Sequence, residues 1–356
     1  MEVSTLNPKD CRKWKFADRE EVQGINSKIL VWARETAGMS LEEASKKLSK
    51  NIDHLVELEN GNRNPTRNIL SKMSAKYRRP LLTFYLEEPP QKGKRGQDFR
   101  TLPPDYCQKD EALLDALVRD IKSRQYLVRA VLEDYEAEAI TFIDSVKPES
   151  ISVDYLVFQI KHHLKIDINE YREQKDKSAA FRYLRNKVEA SGIFVLLAGD
   201  LGSSHSKLSP KIFRGFADAD PIAPFIVIND KDAPAAWSFT LLHELAHLWL
   251  GESGISAGYG EANIEQLCNE VAARILLPTS ELEQLNIFST MPYSDIKHNI
   301  SQFANQKHLN RAMVAYRLYK AGQITKSLWS RITEEFYTEG EEFKARQKER
   351  DKDKEG

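Results

Sequence analysis

The stretch PAAWSFTLLHELAHLWLG at residues 234–251 constrains this chain more than any other. Its apolar residues recur as in a helix buried over most of its surface, yet His243, Glu244 and His247 sit on two adjacent turns of it. Burying two imidazoles and a carboxylate is costly unless each finds a partner. Histidines four residues apart lie on one helical face, so both rings can offer a nitrogen to one zinc ion. Glu244 is then placed to act on a water as general base. The alternative is a pair of core histidines satisfied by neighbouring polar groups.

A catalytic zinc site wants three protein donors and an open position. The third donor is sought in ANIEQLCNEVAARILLP, residues 262–278, which offers Glu265 and Glu270. Glu265 shares a face with Asn269, four residues on, while Ala272, Ala273, Leu276 and Leu277 supply apolar packing. Glu265 is the preferred ligand, with Asn269 orienting one histidine through its free ring nitrogen. Glu270 is the alternative, and an ordinary solvated glutamate is the competing reading for either.

Around this pair of segments the pattern alternates between helix and strand. SAAFRYLRNKVEASG predicts a helix ended by Gly192, and the runs IFVLLAG (193–199) and PFIVIND (224–230) predict strands. An α+β arrangement follows, with helices packed on a small sheet. Upstream, residues 108–146 read as a helix pair whose first member carries Leu113, Leu114, Leu117 and Ile121 on one stripe. Downstream, residues 293–337 read as short helices. The tail from Glu341, with six basic and six acidic residues, is expected to fray.

The amino-terminal part is different in kind. Residues 26–88 break into four helical pieces, with Gly38 and Gly61 between pieces and a capping-box spacing at Ser40 and Glu43. PPQKGKRGQDFRTLPP at 89–104 then shifts composition to Pro, Gly and cations, as a linker does, and Lys92, Lys94 and Arg95 form a basic arm. Across all 356 residues, 52 Lys and Arg nearly cancel 53 Asp and Glu, which excludes a surface built throughout for nucleic acid. Cys11, Cys107 and Cys268 are too few and scattered for a disulfide scaffold, so a reducing compartment is expected. The opening residues lack an apolar signal core, and no apolar run is long enough to span a bilayer. A cytoplasmic location without membrane contact is the expectation.

The segments HELAHLWLG at 243–251 and EQLCNEVAARILLP at 265–278, with GIFVLLAG and APFIVIND before them, resemble the ImmA/IrrE-type metallopeptidases. The resemblance covers about residues 150–330 and takes in NISQFANQKHLNRAMVAYRLYKAGQI, which is similar to that family's closing helical module. It implies His243, His247 and Glu265 as ligands of one Zn2+ per chain, a gluzincin-like set, with Glu244 as catalytic base. This chain departs in having Cys268 where alanine is usual and Val271 where phenylalanine is usual. Tyr259, His205, His298 and His308 are candidates for a second oxyanion donor, and Asn229, at the end of a predicted strand, either aligns substrate backbone or shapes a turn.

Residues 26–88 resemble the XRE-type helix-turn-helix, through ARETAGMSLEEASKKL and NIDHLVELENGNRNPT. Such domains place a recognition helix in the major groove. The groove-facing stretch here is Lys50 to Glu59, and the candidate DNA contacts are Lys50, Asn51, His54 and Arg63. The same stretch holds Asp53, Glu57 and Glu59, which phosphates repel, and residues 26–90 carry a net charge of only +3. Binding of double-stranded DNA and docking of a protein partner therefore both stand.

The expected architecture is multidomain. An amino-terminal extension (1–25) precedes an all-α helix-turn-helix domain (26–88) and a linker (89–107). A helical and α+β zincin-like metallopeptidase domain (108–290), a helical carboxy-terminal module (291–340) and a charged tail (341–356) follow. The resemblance implies a zinc endopeptidase whose protein substrate is a repressor or antitoxin-like regulator, in a stress, phage-related or mobile-element response. The alternative is a DNA-binding regulator, antitoxin or defence-complex subunit, a homodimer in the DNA-binding case, whose metal senses or only stabilises.

Overall fold

A computed structural model describes residues 20–90, 108–148, 151–203, 206–251, 261–288 and 290–355. The amino-terminal extension up to residue 19, the basic arm, Cys11, Cys107, His205 and Tyr259 lie outside the described residues. The chain divides into two compact units.

In the first unit, α1 (Ser27–Glu35), α2 (Leu41–Leu48), α3 (Ile52–Glu59) and α4 (Arg67–Tyr77) enclose Ile29, Leu30, Ala33, Leu48, Leu55, Leu58, Leu70, Met73 and Tyr77. A 3-10 turn over Leu81–Tyr85 adds Phe84 to this core. Local chemistry sets the helix starts. Asn26, Ser40, Asn51 and Thr66 each accept a backbone N–H at an N-cap, and Ser40 with Glu43 completes the expected capping box. Gly38 takes φ +65°, and a Cβ there would stand 3.0 Å from the carbonyl oxygen of Gln108, so both the turn and the packing require glycine.

The helix pair expected over 108–146 is one helix, α5 (Gln108–Asp134), followed by turns. No glycine or proline interrupts residues 108–134, so nothing breaks it. Its residues up to Lys122 belong to the first unit and those from Ser123 to the second.

The second unit contains α6 (Val153–Leu164), α7 (Ile168–Arg172) and α8 (Lys177–Glu189), then a three-stranded sheet of β1 (Phe194–Leu197), β2 (Gly215–Asp218) and β3 (Phe225–Ile228). The strand order is β1-β3-β2, with β1 parallel and β2 antiparallel to β3. All four residues of β3 are buried, as the unbroken run FIVI requires of a central strand. Beyond the sheet come α9 (Pro234–Trp249) and α10 (Glu261–Leu276), which pack on one another. A short α11 (Thr279–Leu282) follows, then α12 (Tyr293–Gln306), α13 (Arg311–Lys320) and α14 (Lys326–Glu355).

Pro234 opens α9 at a position where its missing N–H has no intrahelical partner in any case. The core of this unit joins Leu241, Leu242, Leu245 and Leu248 of α9 to Cys268, Val271, Ala272 and Ile275 of α10 and to Ile226 and Ile228 of β3. The tail expected to fray is helical to Glu355, and Arg346 donates to Glu342 one turn back at 2.9 Å. Among the described residues no helix is long and apolar enough to cross a membrane.

Candidate metal centre

The packing of α10 on α9 brings three donor groups together. The Nε2 atoms of His243 and His247 lie 3.1 Å apart. Glu265 reaches both, with Oε2 at 3.3 Å from His243 and Oε1 at 3.2 Å from His247. Donors held about 2.0–2.1 Å from one ion at the tetrahedral angle are separated by about 3.3 Å, so these spacings fit an ion of zinc's size. Among the described residues this is the one His, Cys, Asp and Glu group able to hold a metal. Burial works to raise the Glu265 carboxyl, but hydrogen bonds and charge from the two imidazoles override it and hold the group well below its ordinary range.

The histidine side chains are nearly covered, at 12% and 5% exposure, while Glu265 is 41% exposed. The cluster is therefore open on the glutamate side, which suits a site that must admit a substrate more than a closed structural one. Glu244 is buried beside the first ligand and points toward β2. The Phe239 ring, one turn earlier on α9, stacks on His243 with centroids 6.3 Å apart.

The alternative ligand Glu270 is engaged elsewhere. It accepts from Arg317 at 2.9 Å and from Arg274 at 2.8 Å, in a buried ion cluster that ties α10 to α13. Asn269 makes no hydrogen bond to either histidine, and the side chain beside His247 is that of Cys268. Asn229 is buried at the end of β3, where its amide donates to the carbonyl of Phe213 and accepts from the backbone of Lys231. Those bonds shape the turn that follows β3. His298 is exposed on α12, and the carbonyl of His308 accepts from Tyr171, so neither histidine joins the cluster.

In the first unit, α3 presents Asp53 and Glu57 outward and Lys50 is exposed just before it. The Asn51 side chain caps α3 by accepting from the His54 backbone at 3.0 Å. Burial, with Arg63 and Lys50 nearby, lowers the His54 imidazole and favours its neutral form. Arg63 is half-exposed between Glu21 and Glu57, each at 3.7 Å. Glu59 does not face outward as expected. It is turned into the domain, where both its oxygens take hydrogen bonds from Arg34, at 2.8 and 2.9 Å.

The sequence missed Gly215, whose segment GFAD carries no β-branched residue.

Residues 192–319 match the IrrE N-terminal-like domain of peptidase M78, and residues 30–84 match the helix-turn-helix family. No curated protein matches the chain. The donor cluster, with its HExxH spacing on α9, lies inside the first of these matched regions. The chain thus joins a helix-turn-helix domain to an IrrE-type metallopeptidase domain, the architecture of the ImmA/IrrE-type proteins.

Proposed function

We propose that this protein is a zinc-dependent endopeptidase that cleaves a regulatory protein, a repressor or antitoxin-like factor. The observation that carries the reading is the convergence of His243, His247 and Glu265 within 4.8 Å, open on the Glu265 side, with Glu244 adjacent. When bound there, zinc supplies Lewis acidity to the scissile carbonyl and to an attacking water. The protein's own residues do the rest. His243, His247 and Glu265 fix the ion, and Glu244 takes the proton from the water and delivers it to the leaving amine. The substrate class rests on the ImmA/IrrE-type architecture and on the helix-turn-helix domain, which gives the chain a capacity to reach DNA-bound regulators.

Elemental analysis of wild type and Glu265→Ala, prepared in parallel, tests the ligand set. About one zinc per chain in the first and none in the second is the expected result. Glu244→Gln should keep the zinc and lose about 10²–10⁴ in peptide hydrolysis. A DNA-binding regulator with a merely structural metal is the second reading, favoured by the helix-turn-helix match. It predicts zinc in wild type with no hydrolysis for Glu244→Gln to remove.

A further inference from the structure

Helix α10, which carries Glu265, packs on α9 within a core to which it contributes Cys268, Val271, Ala272 and Ile275. Apolar burial of this kind is non-directional, so it holds the two helices together without fixing how far α10 is turned about its own axis. Metal ligation is less forgiving. A site tolerates donor distances within about 0.2 Å, whereas a side chain about 6 Å from the helix axis moves about 1 Å when the helix turns by about 10°. Glu265 therefore has to be aimed by contacts more directional than the packing on α9.

Those contacts are made from another side of α10. Glu270 follows Glu265 by five residues, which sets it about 140° round the helix. Its buried carboxylate accepts from Nη1 of Arg317 on α13 at 2.9 Å and from Nε of Arg274, one turn along α10, at 2.8 Å. Tyr316 adds a longer bond to the other oxygen at 3.5 Å. Arg274 in turn donates to Asp154 of α6 at 2.7 Å. Arg317 is buried as well. Its Nη2 reaches Thr279 at the start of α11 at 3.4 Å, and its Nε has no hydrogen-bond partner among the described residues. The carboxy-terminal end of α10 is held separately by Arg172 of α7, which donates to the Leu276 carbonyl and to Glu281.

A buried ion pair that leaves one guanidinium nitrogen unmatched is a poor source of stability. Desolvation offsets the attraction, and packed apolar residues of similar volume do as well or better. An apolar pair would not, however, hold α10 at one rotation. We infer that Arg317 is a positioning residue of the metal centre: through Glu270 it fixes the rotation of α10, so that Glu265 is presented to His243 and His247. The inference rests on the metal-site reading above. Neither Arg317 nor Glu270 belongs to the group that converges on the ion.

The test uses the full chain as wild type, as the double variant Arg317→Met with Glu270→Met, and as Arg317→Lys. Zinc affinity is read by competition with a chromophoric chelator, the ligand field by the visible spectrum of the cobalt(II) form, and packing by the melting temperature of the metal-free form. The double variant should melt at or above the wild-type temperature, since an apolar pair replaces a desolvated ionic one. It should nevertheless bind zinc about tenfold more weakly and shift the cobalt bands, as when outer partners of a metal site are lost. Arg317→Lys keeps Glu270 and a cation but not the planar fork, so its zinc affinity should fall in the same direction by a smaller factor. Wild-type affinity and cobalt bands in the double variant overturn the inference. So does weaker zinc with unshifted bands and a lowered melting temperature, since that pattern marks general loosening. Wild-type affinity in Arg317→Lys overturns it too, whether or not the double variant folds. Absence of zinc and cobalt binding in wild type is a distinct result, which removes the metal-site reading and this inference with it.

Discussion

A Cβ added at Gly215 would stand 3.0 Å from Oε1 of Glu244 and 2.6 Å from Cγ2 of Thr240, with the Val227 carbonyl oxygen also at 3.0 Å. The first residue of β2 is therefore glycine because the carboxylate of α9 passes where a side chain would begin. Gly215→Ala should move Glu244 or push β2 from α9, at a cost of about 1–3 kcal/mol for overpacking. None of the three metal donors is touched, so zinc content should stay near one per chain while hydrolysis falls at least about tenfold. Parallel metal analysis and peptide assays check this. Full activity in Gly215→Ala would show that Glu244 does not depend on the close approach.

The contrast between α9 and β2 shows what was legible beforehand. The HELAH spacing depends on helix geometry alone, and the caps at Ser40 and Asn51 depend on residues three apart, so local sequence contains them. The strand character of GFAD comes from pairing with β3, in the register Gly215 with Ile228 and Phe216 with Val227, and no local pattern encodes that. The preference for Glu265 over Glu270 likewise could not be secured within one helix. It is Arg317, 47 residues on, that captures Glu270 and leaves Glu265 to face the histidines. Glu59 reads as an outward carboxylate until Arg34, 25 residues earlier, is placed beside it.

That Arg34–Glu59 pair yields a stability prediction for the helix-turn-helix domain. The two side chains are only 10% and 7% exposed, and Arg34 also donates to the Met39 carbonyl at 3.0 Å. The bond to Glu59 raises the Arg34 guanidinium further above its ordinary range. Glu59→Ala would strand the guanidinium and should cost about 3 kcal/mol. Amide hydrogen exchange of α1 and α3 in the full chain would report it as roughly 100-fold lost protection. Replacing both partners, as Arg34→Met with Glu59→Leu, should restore most of it. Protection unchanged in Glu59→Ala would make the pair incidental.

The surface of α3 bears on DNA affinity. With Asp53 and Glu57 outward and Arg63 shared between Glu21 and Glu57, few cations are left to displace counterions. Binding to a duplex, followed by fluorescence anisotropy, should therefore show a shallow dependence on salt. Lys50→Ala should lower the slope of log K against log salt by about 0.9, and Arg63→Ala by less, because its charge is already partly matched. An unchanged slope in Lys50→Ala would take the amino end of α3 out of the phosphate contact.

The docking of α14 should depend on acid. Lys297 of α12 meets Glu335 at 2.5 Å and Glu339 at 2.8 Å, and Arg311 adds a bond to Glu339 at 2.6 Å. The hydrogen bond from Lys297 is the chief cause that lowers the Glu335 carboxyl from 4.5 to about 2. A carboxyl depressed in the folded state binds its proton more readily when unfolded, so its contribution is complete above pH 4.5 and is lost as pH falls toward about 2. Lys297 is raised by the same partners, so its share is lost only at alkaline pH, as its own folded pKa is passed. Melting temperatures of wild type and Glu335→Gln, compared across pH, should differ at neutrality and converge below pH 4.5. The convergence is the decisive feature: a constant gap down to pH 2 would mean that Glu335 acts through packing and not through its charge.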